Sequence, residues 1–203
     1  TELGTKIDPD ADRVAVDGVL VAAAEEALVY IIVNKPRGVV TSCEQEGVPV
    51  VVDLVSCDAR IYPVGRLDKD STGLVLLTND GRLHHGLLHP SFDHEKEYEV
   101  TVARPIPDGA LQSMAAGMPL MGSKARPATV KRRAQRRFQI ILKEGKNRQI
   151  RRMCEACGLQ VHGLVRTAFA GVSLKGIEPG KHTRLKSTSL GHLTAQEIDR
   201  DKR

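Results

Sequence analysis

Residues 65–81 read GRLDKDSTGLVLLTNDG. Two acids and a lysine, Asp68-Lys69-Asp70, make a polar turn directly before the apolar run Leu74-Val75-Leu76-Leu77. Gly73 precedes that run and Asn79-Asp80-Gly81 closes it, so 73–79 is predicted as a buried strand entered from an acidic loop. Three chemistries compete for such a loop. It is a solvated turn, the aspartate nucleophile of a Mg²⁺-dependent phosphotransferase, or a carboxylate serving another substrate. Asp68, Asp70 and Thr72 formally fit the acid-x-acid-x-Thr signature of the phosphotransferases. There, however, the first Asp ends a buried apolar strand. Here Val64-Gly65-Arg66-Leu67 is short and polar, the long apolar run comes afterwards, and no second acidic pair for a metal follows. A plain turn accounts for the Asp and Gly content. It does not account for Arg66 and Asp68 flanking a leucine at the entrance to a core strand.

The flanking segments set the fold class. VAVDGVLV alternates and turns at Asp17-Gly18, which predicts a small β-rich piece within 1–26. LVYIIVN (28–34) reads as a buried strand stopped by Lys35-Pro36-Arg37-Gly38. RLHHGLLH (82–89) carries Leu83, Leu87 and Leu88 on one side of a helix. In EKEYEVTVA (95–103), Glu95, Glu97, Glu99 and Thr101 share one strand face, and Lys96, Tyr98, Val100 and Val102 the other. PDGALQSMAAG (107–117) is predicted as a short helix with Asp108 as N-cap and Gly117 near its end. RFQIILKEG (137–145) alternates as a strand. NRQIRRMCEACG (147–158) reads as a helix capped by Asn147 and stopped by Gly158. Short strands are expected in QVHGLVRTAFAGVSL. Thr194 and Glu197 form a capping box for a last helix, with Leu193 and Ile198 as its staple. Strands outnumber helices and do not alternate with them, so the expectation is α+β, with a mostly antiparallel mixed sheet, flanking helices and a central cleft. No glycine-rich dinucleotide or P-loop pattern occurs.

Charge is unevenly distributed. The net charge is +5, yet residues 1–26 carry seven acids and two bases, a net of −5, which leaves +10 on the rest. Segment 124–152 holds twelve Lys or Arg against one acid, Glu144. That density points to a polyanion such as nucleic acid. Phe138, Ile140 and Leu142 interrupt the cations, so a folded strand carries them. No run of about 18 apolar residues exists to span a membrane. The N-terminal TELGTKIDPD has no secretion pattern and does not begin with Met, as in a fragment. The four cysteines, Cys43, Cys57, Cys154 and Cys157, suit reduced thiols in the cytoplasm.

Several stretches together resemble the RNA pseudouridine synthases: GRLD followed by STGLVLLTNDG, KPRG (35–38), HEKEYEV (94–100), EGKNRQIRRMCEACG (144–158) and LVRTAFAGVSLKGI (164–177). The resemblance runs in order from about residue 28 to about residue 190, far beyond one short motif. It is strongest to the bacterial ribosomal branch that modifies one or a few uridines. HEKEY and the RRMCEACG helix are most similar to the large-subunit enzymes acting on a single hairpin site. The resemblance implies a catalytic domain at 27–203, with 1–26 as the tail of an N-terminal RNA-binding domain. It implies Asp68 as the essential nucleophile or base, with no metal and no cofactor. Arg151 is implied as the cation beside Asp68, Tyr98 as the stacking aromatic, and Ile150 and Leu164 as the pocket for the base. Arg66 is expected to enter the space a flipped base vacates, or to pair with Asp70 as a turn stabiliser. Lys35, Lys146, Arg132, Arg133 and Arg148 are expected to bind RNA phosphates. The implied partner is large-subunit ribosomal RNA, with transfer RNA a second candidate, and the implied state a cytoplasmic monomer. A non-catalytic RNA-binding module on the same fold is the rival from another class. A zinc site at Cys154-x-x-Cys157 is disfavoured, because the pair sits inside a predicted helix.

Overall fold

A computed structural model describes residues 7–8, 12–20, 27–89 and 92–186. Its first element is the expected hairpin of β1 (Ala15–Val16) and β2 (Val19–Leu20), with Asp17 and Gly18 at φ 51° and 79°. The main sheet is built from β3 (Tyr30–Lys35), β4 (Tyr62–Val64), β5 (Thr72–Thr78), β6 (Lys96–Val102), β9 (Thr129–Ala134), β10 (Arg137–Leu142), β11 (Val161–Phe169), β12 (Val172–Ser173) and β13 (His182–Arg184). A separate small hairpin joins β7 (Pro119–Leu120) to β8 (Ser123–Lys124). The helices are α1 (Gly81–Leu88), α2 (Asp108–Ala116) and α3 (Gln149–Ala156). The strand order is β13-β3-β5-β11-β6-β10-β9, with β4 on β5 and β12 on β11. Only the β5–β11 pairing in this sheet is parallel, which gives the predicted mixed, mostly antiparallel α+β fold.

That parallel pairing is a seam between two halves with different sequence patterns. β3 and β5 are covered on both faces and therefore read as continuous apolar runs. Tyr30, Ile32, Leu74 and Leu76 pack with Leu83 and Leu87 of α1 and with Phe169. Ile31, Val33, Val75 and Leu77 pack with Val39, Val51, Ile61 and Leu67. β6 and β10 alternate because only one face is covered. Val100, Val102, Phe138, Ile140 and Leu142 bury against Met114 of α2 and against Ile150 and Met153 of α3. At the seam, Gly73 pairs with Arg166 in register. Gly73 has φ 111°, and a Cβ there would lie 2.6 Å from Arg166 N, with the Arg166 carbonyl oxygen nearer still. A side chain at 73 is thus excluded by both conformation and space.

Three local expectations are corrected. Asp108 is the first residue of α2, not its cap; Pro107 occupies that position, and Asp108 accepts from Arg132 at 2.5 Å instead. The α3 cap is Arg148 in a left-handed conformation (φ 49°, ψ 32°), not Asn147, whose oxygens accept from Arg152. Residues 161–169 form one nine-residue strand rather than several short ones. The helix expected at 193–198 lies outside the described residues.

Candidate active site

The loop that carries Asp68 is held from three sides. Leu67 is buried against Ile31 and Val75. Thr41 Oγ1 donates to Leu67 O at 2.7 Å and accepts from Leu67 N at 3.2 Å. Gly38 N donates to Lys69 O at 2.8 Å, and Ser71 N closes a turn onto Asp68 O at 3.0 Å. With its backbone fixed at 67, 69 and 71, the loop presents the Asp68 carboxylate to a cleft, its side chain 35% exposed.

Two arginines reach this loop from α3, on the other side of the seam. Arg148 Nη1 lies 3.6 Å from Asp68 Oδ2 and 3.2 Å from Asp70 Oδ1. Arg151 Nη2 lies 3.3 Å from Asp70 Oδ2 and donates to Asp70 O and Ser71 Oγ at 3.2 and 3.1 Å. Arg151 belongs to the first turn of α3, whereas Arg148 is the left-handed residue at its N-terminus, and both side chains reach the same loop. The pairing expected for Arg151 is therefore corrected: Arg148 is the cation at Asp68, and Arg151 grips the next two residues. Burial pushes the Asp70 carboxyl up, but the Arg148 hydrogen bond and the charges of Arg151 and Arg148 outweigh it and hold it below the ordinary range. Arg66 does not pair with Asp70; its side chain is exposed and makes no hydrogen bond among the described residues.

Asp68 and Arg66 open onto a cavity of about 700 Å³ that the sequence-assigned Tyr98, Ile150, Leu164, Arg148 and Lys146 also line. Leu142 and Phe169 add apolar wall. Tyr98 stands on β6 between Ile140 of β10 and Arg166 of β11. Arg166 is a residue the sequence reading missed. It is only 2% exposed; Nε donates to Leu74 O at 2.7 Å and Nη1 to Arg66 O at 3.4 Å. Its guanidinium lies 5.3 Å from the Phe169 ring centre. It thereby ties β11 to the loop bearing Asp68. The available signal was its alternation with Leu164, which places both on one strand face. Lys96 also lines the cavity; burial and the Arg166 charge lower its ammonium, with Asp93 partly offsetting them.

Other RNA-contact expectations are corrected. Lys35 is fully buried, with Nζ donating to Val39 O at 2.8 Å and Pro36 O at 3.0 Å. It cannot meet a phosphate. Burial lowers its ammonium to about 8, although Asp70 and Asp68 counteract the shift. Arg132 and Arg133 sit on the edge strand β9, outside the cavity lining; they donate to Asp108 and Gln139. Lys146 stays on the cavity wall, but its Nζ donates to Ser123 Oγ and Lys124 O. In the basic segment, Arg126, Arg132, Arg133, Arg137, Lys143, Lys146, Arg148, Arg151 and Arg152 all bind protein oxygens. Lys124, Lys131 and Arg136 complete the twelve and have no side-chain partner among the described residues.

The arrangement suits a carboxylate acting beside a partly apolar chamber that admits a flat ring. It does not suit a divalent ion. Asp68 and Asp70 are both engaged by guanidinium groups, and among the described residues no three potential ligands converge. Residues 29–156 match the family model described as RNA pseudouridylate synthase. Over 189 residues the chain is 44% identical to the dual-specificity RNA pseudouridine synthase RluF of Escherichia coli strain K12, covering 93% of this chain and 65% of that one. The chain thus spans about two thirds of the length of that relative. A protein of Mycobacterium tuberculosis named an uncharacterized RNA pseudouridine synthase is 40% identical over 205 residues, covering 95% of this chain and 79% of that one. A crystal structure of a pseudouridylate synthase superposes with a TM-score of 0.78 at 32% identity, covering 86% of this chain and 76% of that one.

Proposed function

The chain belongs to the RNA pseudouridylate synthase family, and from that premise we propose that it isomerises a specific uridine of structured RNA to pseudouridine, with Asp68 as the essential carboxylate. The observation that carries this reading is the position of Asp68: beside Arg148, at the edge of a chamber walled by Tyr98, Ile150 and Leu164. In the reaction the bond between uracil nitrogen and ribose breaks, the base turns, and a carbon of the ring bonds to the ribose in its place. The proton displaced from that carbon leaves to solvent, and the freed nitrogen takes one up. An ionised carboxylate is required. Arg148 stands 3.6 Å from it, and the apolar walls keep a detached base from diffusing away.

The uridine must leave its stack, which costs a few kcal/mol. Tyr98 is the aromatic for the flipped ring, and the exposed Arg66 side chain is the group that fills the vacated space. The substrate we propose is large-subunit ribosomal RNA presenting a hairpin, handled by a cytoplasmic monomer without metal or cofactor. The dual specificity named for the relative supports testing transfer RNA as well. We also propose 27–203 as the catalytic domain and 1–26 as the tail of an RNA-binding domain.

The test is tritium release from the uracil ring of labelled ribosomal RNA, incubated with the protein in EDTA. The parent releases tritium; Asp68→Asn releases none and still binds RNA. Equal release by both proteins removes Asp68 from the mechanism. RNA binding without release by the parent favours the non-catalytic module, and release seen only when EDTA is omitted overturns the metal-free reading.

A further inference from the structure

The loop bearing Asp68 is a ridge with a hollow on each side. The second hollow, about 560 Å³, shares Arg66, Leu67, Asp68 and Arg148 with the first and is otherwise walled by Arg37, Gln45, Lys69 and their neighbours. Its floor is cross-linked. The bond from Gly38 N to Lys69 O joins the turn carrying Arg37 to the turn carrying Lys69, and the paired bonds between Thr41 and Leu67 lock the base of the ridge. Arg37, Gln45, Arg66 and Lys69 are all exposed, and none of their side chains has a hydrogen-bond or ion-pair partner among the described residues. The contrast with segment 124–152 is informative. There most cations are spent on the protein's own oxygens; here three, Arg37, Arg66 and Lys69, stand without a partner among the described residues and line the same hollow as Asp68.

We propose that this second hollow seats the nucleotide next to the target uridine along the RNA strand, with Arg37 and Lys69 on its phosphate. The inference rests on the proposed function above and assigns a subsite to it. A strand crossing the ridge places one nucleotide on either side of Asp68. The side with Tyr98, Ile150 and Leu164 is apolar and accepts the flipped base. The side with Arg37 and Lys69 is cationic and accepts backbone. Arg66, on the crest, borders both. Gln45 leaves its amide free for a base edge.

The experiment is the salt dependence of binding of fluorescein-labelled oligouridylate, followed by anisotropy. Each phosphate contact to a single strand contributes about 0.7 to the slope of log K against log salt. The Arg37→Gln/Lys69→Gln variant, altered only at exposed positions, removes the contact to that one phosphate and is expected to bind with a slope shallower by about 0.7. Lys175→Gln/Lys181→Gln removes the same charge from an exposed region outside both hollows and is expected to leave the slope unchanged. An unchanged slope in the first variant overturns the proposal, as does an equal fall in both, which would report diffuse charge alone. The slope is read whether or not uridine is converted. A parent that binds but releases no tritium therefore counts against the proposed function and not against the subsite.

Discussion

Replacing Gly73 by alanine tests the claim that the site depends on one close backbone approach. At φ 111° an L-residue is strained, by an amount of the order of 1–2 kcal/mol for conformations with positive φ. The new Cβ would also lie 2.6 Å from Arg166 N and 3.0 Å from Arg166 C, closer than real Cβ contacts come. Those neighbours are backbone, so β11 must move, and forced overpacking costs about 1–3 kcal/mol. The seam pairs only Thr72 with Val165 and Gly73 with Arg166, so it has few bonds to spare. Together these give a loss of about 2–5 kcal/mol, a large share of an ordinary domain's stability. With a urea slope near 2 kcal/mol/M, the unfolding midpoint falls by about 2 M. Far-UV circular dichroism is the appropriate probe, because the chain has no tryptophan. Gly47→Ala is the control: Gly47 has φ 66° but open space around its Cβ position, so only the conformational cost remains. If the two variants lose equal stability, the close approach at the seam is not what requires glycine.

Further predictions concern the site. Arg151→Gln, at a 16% exposed side chain with three bonds to the loop, should cost about 2 kcal/mol in thermal unfolding. Arg148→Gln, at a 43% exposed side chain, should cost under about 1 kcal/mol yet slow tritium release at least about tenfold; the reverse ranking would restore Arg151 as the partner of Asp68. Tyr98→Ala should slow release by about 5- to 150-fold, the worth of one stacked base, with a smaller change in RNA affinity; an unchanged rate makes Tyr98 a core residue. Lys35 is depressed to about 8 by burial, so between that pH and its unfolded value the unfolded chain holds the extra proton and folding gains from rising pH. From pH 8 to pH 10.5 the parent should therefore gain roughly 1–3 kcal/mol relative to Lys35→Met in denaturant titrations; parallel curves would mean that burial does not depress Lys35 and that it keeps its proton on folding.

The elements legible in the sequence were those whose burial follows one period. β5 and β3 show as apolar runs because both their faces are covered. β6 and β10 alternate because one face is open. β4, β13 and the β7–β8 hairpin are two or three residues long and carry no period to read. β11 shows no single period over its nine residues, because His162 is exposed and Arg166 is interior. Lys35 misled for the same reason: a lysine after a strand looks solvated, and nothing local announces that the carbonyls of Pro36 and Val39 turn inward to meet it. The choice between Arg148 and Arg151 depended on where α3 sits relative to a loop some 80 residues earlier. The left-handed turn at Arg148, just before α3, aims its side chain in a way that helical spacing does not foretell.

The self-paired arginines of segment 124–152 make the protein its own counterion. Beyond Lys124, Lys131 and Arg136, a visiting anion meets positive groups there that are already paired, and to use Arg126, Arg132, Arg137 or Lys143 it must displace Asp93, Asp108, Glu99 or Glu95. A lone phosphate or a small nucleotide offers too few charges to displace several carboxylates at once. A folded polyphosphate scaffold with fixed spacing can exchange with many together. Under the proposed function, the same residues that make the chain look indiscriminately sticky on paper favour an extended polyanion over a small one, because only the former replaces several pairs together.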